Sequence, residues 1–95
     1  MSNRESEVEK YLHRMFTLRG GLTRKWVSPG YVGVMDRICI LNGVVWFVEV
    51  KTFDGKMSPM QQREADRMTE AGANVRTVYG KNGVDELMKE VDGDN

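Results

Sequence analysis

"MDRICILNGVVWFVEVK", residues 35–51, decides the fold of this chain. Asn42-Gly43 is the dipeptide that most favours a two-residue type I′ turn, and β-branched and aromatic residues crowd both sides of it. The spacing therefore predicts a β-hairpin. Alternation along its two strands puts Ile38, Ile40, Val45 and Phe47 on one face, with Cys39, Leu41, Trp46, Val48 and Val50 on the other. A sheet apolar on both faces has to be covered on both, by helices or by a second subunit.

Glu49 and Lys51 interrupt this apolar run two residues apart, on one face. If the turn holds two residues, Leu41 faces Val44, and pairing outward sets Asp36 directly opposite Glu49. Opposed side chains have Cβ atoms only about 4.5–5.5 Å apart, and two like charges there are destabilising by up to about 1 kcal/mol on an exposed sheet. A hard divalent cation relieves that repulsion, because it takes oxygen ligands and is held by one or two carboxylates with phosphate and water. Lys51 lies one step further along, in reach of a phosphate oxygen. Glu-x-Lys is also a common triplet, and Glu49 and Lys51 could form a surface ion pair with no further meaning. A bulged three-residue turn would make the carboxylates diagonal neighbours instead.

Outward from the hairpin, Val8, Tyr11, Leu12, Met15 and Phe16 recur at helical spacing, and Gly20-Gly21 ends that helix. "LTRKWVS" reads as a first strand. After the hairpin, Ser58-Pro59 starts a second helix that runs to about Ala71 and stops at Gly72. "NVRTVYG" is a fourth strand, and "VDELMKEV" a short final helix. The order α-β-β-β-α-β-α describes an α/β fold, a small mixed sheet flanked by helices, as one domain over residues 1–95.

Composition narrows the class. With 95 residues, 40% hydrophobic and 29% charged, the chain is an ordinary globular domain with one modest core. No apolar run suffices to cross a bilayer, and the start "MSNRESEVEK" is too polar for a secretory signal, so a cytoplasmic protein is expected. The single cysteine, Cys39, excludes an intrachain disulfide and lies in an apolar strand, where core packing is its expected role. Net charge is zero, which argues against a general nucleic-acid coat. Between Lys10 and Arg37, however, six basic residues (Lys10, Arg14, Arg19, Arg24, Lys25 and Arg37) meet only Asp36. Such a segment could present a phosphate-binding face, or a plain solvated surface. His13 has no second histidine to make a metal site, and Met57, Met60 and Met68 read as packing around the second helix.

Taken together, Asp36, Glu49 and Lys51 in this arrangement resemble the PD-(D/E)xK nuclease superfamily, and more narrowly the stand-alone VRR-NUC domain, the virus-type replication-repair nuclease module. The resemblance covers nearly the whole chain. It runs through a glutamate on the first helix, "GVMDR", "FVEVK", and "SPMQQ" at a helix start. Met35 departs from the proline that usually precedes the aspartate.

The resemblance implies a restriction-endonuclease-like core and a metal-dependent phosphodiesterase. Asp36 and Glu49 would bind Mg²⁺ or Mn²⁺ with the backbone carbonyl of Val50. Lys51 would orient or help deprotonate the attacking water, and Gln61 would stand near both. Gln61 also shares the apolar side of its helix with Ala65 and Met68, so it is aimed inward whatever its role; an ordinary buried amide is the alternative. Glu5 matches the first-helix glutamate, although Ser2-Asn3-Arg4-Glu5 reads equally as a helix capping box. Lys25 resembles a basic position of the family, and with Arg24 and Arg37 it could meet DNA phosphate.

Stand-alone members are mostly viral or prophage proteins associated with cutting four-way (Holliday) junctions in DNA repair and replication. A homodimer is expected, since a thin sheet with few helices leaves apolar surface to bury. A less selective flap, nick or duplex nuclease, and a catalytically silent DNA-binding module, are the rival readings.

Overall fold

The computed structural model describes residues 4–26 and 37–93. Helix α1 (Glu5–Thr17) leads into β1 (Leu22–Lys25), then the hairpin strands β2 (Arg37–Leu41) and β3 (Val44–Lys51). Helix α2 (Pro59–Glu70), β4 (Asn74–Tyr79) and α3 (Gly80–Val91) complete the expected order. The four strands lie in sequence order in a mixed sheet: β1, β2 and β3 are antiparallel, and β4 runs parallel to β3 after the α2 crossover.

The hairpin turn is as the dipeptide demands, with Asn42 at φ 53° and Gly43 at φ 79°. Both central residues of a type I′ turn need positive φ, which asparagine and glycine tolerate best. Leu41 pairs with Val44, and the ladder runs back to Arg37 opposite Val48. That is the expected register. Asp36, and with it the expected pairing to Glu49, lies outside the described residues, as do Ser2, Met35 and the end of the "LTRKWVS" stretch. Within the described part of that stretch, the strand closes at Lys25.

The two sheet faces are covered unequally. Cys39, Leu41, Trp46, Val48, Val50 and Val78 pack under α1 and α3, against Val8, Leu12, Phe16, Val84, Leu87 and Met88. Val8, Leu12 and Phe16 are fully buried, and burying each such side chain contributes about 1.5–3 kcal/mol. Among the described residues the opposite face receives Trp26, whose ring lies 5.1 Å from that of Phe47, and one helix, α2, through Ala65 and Gln61. Beyond its reach Leu22, Ile40 and Val45 stay 42%, 36% and 39% exposed. Met60 is exposed as well, so the expectation that it packs around α2 fails; it points outward from the first turn of that helix.

Polar links fasten α3 to its neighbours. Arg76 on β4 makes a two-pronged ion pair with Glu90 and lies over the Trp46 ring at 5.2 Å. Arg19 does the same with Asp92 at 2.7 and 2.8 Å, and the Tyr11 hydroxyl donates to Asp85. Part of the sequence's separation of basic and acidic residues is thus used to close helix ends.

Helix α3 begins four residues before the expected "VDELMKEV". "GKNG" looks like loop, yet Gly83 is helical because α3 lies close on β4: a Cβ there would come within 3.1 Å of the Val78 backbone. Among the described residues no helix is long and apolar enough to cross a membrane.

Candidate active site

Alternation on β3 turns Val48 and Val50 into the core and sends Glu49 and Lys51 to the α2 face. Glu49 is nevertheless 2% exposed. On β4 its ladder neighbour is Thr77, whose hydroxyl reaches the Met57 sulfur at 3.6 Å; Gln61 of α2 comes in above. A carboxylate in such a place needs charged or hydrogen-bonding partners. The Gln61 Nε2 donates to Glu49 Oε2 at 3.2 Å, and the Lys51 ammonium lies 3.5 Å from the same oxygen.

The pair is therefore real but is not the surface ion pair that the sequence left open, since the side chains are 3% and 14% exposed. Burying two charges costs several kcal/mol of hydration per ion, and apolar replacements of similar volume are often as stable or more so. A fold gains little from this arrangement. The pair lies beside the start of α2, where Gln61 meets the same carboxylate.

Gln61 serves two purposes. Its backbone N–H donates to Ser58 Oγ at 3.1 Å, and its Oε1 accepts from the Ser58 N–H at 2.9 Å, which closes a capping box at the start of α2. The cap fixes the amide so that its NH₂ faces Glu49. The sequence reading missed this, although Ser58-x-x-Gln61 is a visible capping signature.

Glu5 lies on a different element from the Glu49–Lys51 pair. It is the first residue of α1, exposed, with Arg4 as N-cap and no side chain closing the cap. The capping-box account of Glu5 is thereby corrected, because the helix begins too late for Glu5 to be its third residue. The main body of α1 packs on the sheet face opposite Glu49.

The three basic candidates are divided between faces. Arg24 is level with Ile38 on the Glu49 face, whereas Lys25 and Arg37 share the face of Val48. Arg37 reaches Glu9 at 3.5 Å and, with Ser6, Lys10 and His13, lines a groove of about 370 Å³; His13 Nδ1 is 2.6 Å from the Thr23 hydroxyl. Cys39 is fully buried, and burial pushes its thiol up to about 12 against a smaller lowering by Arg37, which suits packing and not catalysis.

As for a metal, Glu49 supplies a hard oxygen donor, and the Val50 side chain is buried in the core, so its backbone carbonyl is what it can offer. This donor chemistry fits Mg²⁺ or Mn²⁺ and suits softer ions poorly. Among the described residues no cluster of three or more His, Cys, Asp or Glu side chains assembles.

Comparison with known proteins places the fold. No family model matches the chain. A solved structure described as a VRR-NUC domain superposes with a TM-score of 0.82 at 40% identity, covering 90% of this chain and 94% of that one. The protein named "Putative nuclease p44", from Acyrthosiphon pisum secondary endosymbiont phage 1, is 42% identical over 73 residues, which are 76% of this chain and 78% of that protein. The chain belongs to the VRR-NUC family. The α/β fold with its mixed four-stranded sheet is the VRR-NUC fold, and Glu49 and Lys51 occupy the Glu-x-Lys that first suggested it.

Proposed function

We propose that this VRR-NUC protein is a metal-dependent DNA endonuclease, selective for branched structures and acting on four-way junctions as a homodimer. The observation that carries the nuclease reading is the Glu49 carboxylate, buried yet met by Lys51 and Gln61 on one oxygen. Nuclease naming of the phage relative supports it.

In this reading Glu49, the Val50 carbonyl and Asp36 would hold Mg²⁺ or Mn²⁺, which would supply a lowered water pKa and offset charge on the phosphate. Gln61, itself clamped by Ser58, fixes the Glu49 rotamer. Lys51 would orient or help deprotonate the attacking water and give the phosphoryl oxygens a cation as the water–phosphorus bond forms and the bond to the leaving deoxyribose oxygen breaks, the water's proton passing to solvent and the deoxyribose oxygen taking one up. The exposed strip Leu22, Ile40 and Val45 on the same sheet face supports dimerisation, since a second copy would cover it. Lys25, Arg24 and Arg37 would hold the DNA backbone, and Glu5 would approach the metal from α1.

The test is cleavage of a labelled immobile four-way junction, a flap and plain duplex in Mn²⁺, Mg²⁺ or EDTA, beside Glu49→Ala, with the mass in solution measured by light scattering. Paired symmetric cuts by a dimer, lost in EDTA and in Glu49→Ala, are expected. Equal cutting of all substrates would retain the active site and remove the selectivity. A monomer at micromolar concentration would remove the junction reading. Absence of cleavage with every metal would leave a DNA-binding module.

A further inference from the structure

Seven aromatic side chains lie among the described residues: Tyr11, Phe16, Trp26, Trp46, Phe47, Phe53 and Tyr79. Two of these are exposed, Phe53 at 63% and Tyr79 at 38%, and they are found together. Both line one pocket of about 290 Å³, with Gly80, Lys81 and Asn82. Tyr79 is the ladder partner of Lys51, so one wall of this pocket shares the sheet face of the Glu49–Lys51 pair. Large apolar surface left in water at such a point calls for an occupant.

The pocket is built, not incidental. Phe53 sits in a turn tied by Thr52 Oγ1 to Asp54 Oδ1 at 2.9 Å and by the Gly55 N–H to the Thr52 carbonyl at 3.0 Å. Its backbone rests on Gly80, which has φ +68° and where a Cβ would stand 3.0 Å from the Phe53 Cβ. Any other residue at 80 would be strained and would push Phe53 away. Lys81 lines the pocket as well, and its ammonium lies 5.8 Å from the Tyr11 ring of α1.

We infer that Phe53 and Tyr79 form a stacking platform for one unpaired nucleobase of the DNA substrate, with Lys81 facing the adjoining phosphate. Two aromatic faces and a cation make a site for a flat, uncharged ring attached to an anion, which is what an unstacked nucleotide presents. The volume sits at the small end of ligand pockets, which run roughly 300–1,000 Å³, and suits one base better than a peptide or a larger cofactor. A base within perfect duplex is stacked and paired and has no face to offer. Branch points, flaps and mismatches do have one, so the platform gives the nuclease reading above, on which it rests, a source of structure selectivity.

The test uses the full chain in EDTA, so that nothing is cut, and DNA carrying 2-aminopurine at the unpaired position of a flap or junction, with a matched duplex as control. Wild type is expected to change the 2-aminopurine emission on binding and to prefer the unpaired-base DNA. Phe53→Ala and Tyr79→Ala should each lower that preference by roughly 5- to 100-fold, the scale of a lost stacking contact. Phe53→Trp should retain both the preference and the emission change. Circular dichroism checks that each variant folds; the two alanine variants test the platform independently, and the Trp variant tests it with an aromatic ring retained. An unchanged preference in both alanine variants, or no emission change in wild type, overturns the platform. Wild type that binds this way but cuts nothing in Mn²⁺ would overturn the nuclease reading and leave the platform standing.

Discussion

Glu49 is the residue on which most depends, and its environment makes two separable predictions. Gln61→Glu keeps a side chain that can close the Ser58 cap, because glutamate serves in a capping box as well as glutamine does, but it replaces the donor to Glu49 with a second carboxylate. The helix content should be unchanged by circular dichroism and cleavage should fall by about 100-fold or more, the scale of lost preorganisation. Gln61→Ala instead loses a cap partner too, with about 0.5–2 kcal/mol of stability by urea titration. The ion pair behaves oppositely to its activity. Removing Lys51 alone (Lys51→Met) takes the ammonium from beside a buried carboxylate and should cost up to about 3–5 kcal/mol, whereas the double variant Glu49→Leu/Lys51→Met should be inactive and at least as stable as wild type by thermal melting. Inward aim was legible for Gln61 from helical spacing, and the common face of Glu49 and Lys51 from strand alternation. Their depth was not legible, because burial of Glu49 depends on α2 and Met57, which come from elsewhere in the chain.

Among the elements, the hairpin was the most legible, since one dipeptide with a strong backbone preference fixes turn, pairing and face at once. The start of α3 was the least. Its glycines read as loop because a sequence shows their freedom and not their neighbours; Gly83 is there for the approach of Val78, and Gly80 for Phe53. The α3 tethers carry a pH dependence. Hydrogen bonding to Arg76 holds the Glu90 carboxyl below its ordinary 4.5, and hydrogen bonding to Arg19 holds Asp92 below 3.8. Both pKa values are depressed on folding, so the unfolded chain binds more protons in the acid range. The stabilisation is then full above the ordinary carboxylate values and is lost as pH falls through the lowered ones. The melting temperature should be flat from pH 7 to about 5 and drop below about 4, and Arg76→Met should shrink that drop.

Among the described residues the sheet has one dry face and one partly wet face, and Glu49, Lys51, Gln61 and Tyr79 all lie on the second. The sequence indicated two apolar faces without showing that the helices would be shared two to one. That inequality arises because α1 and α3 pack on each other as well as on the sheet, leaving α2 as the one helix opposite among the described residues. The Asn42-Gly43 turn acquires a consequence from this asymmetry. It works as an index mark for the strand behind it, setting which parity of residue faces which world. Deleting one residue between Gly43 and Glu49 would swing the charged pair under α1 and α3 and throw Val48 and Val50 outward. Deleting two would keep every residue on its side and merely shorten the reach. Kin of this chain can therefore be expected to differ in that interval by even steps, a trace of the Glu49–Lys51 pair written in the length of a hairpin and not in either residue.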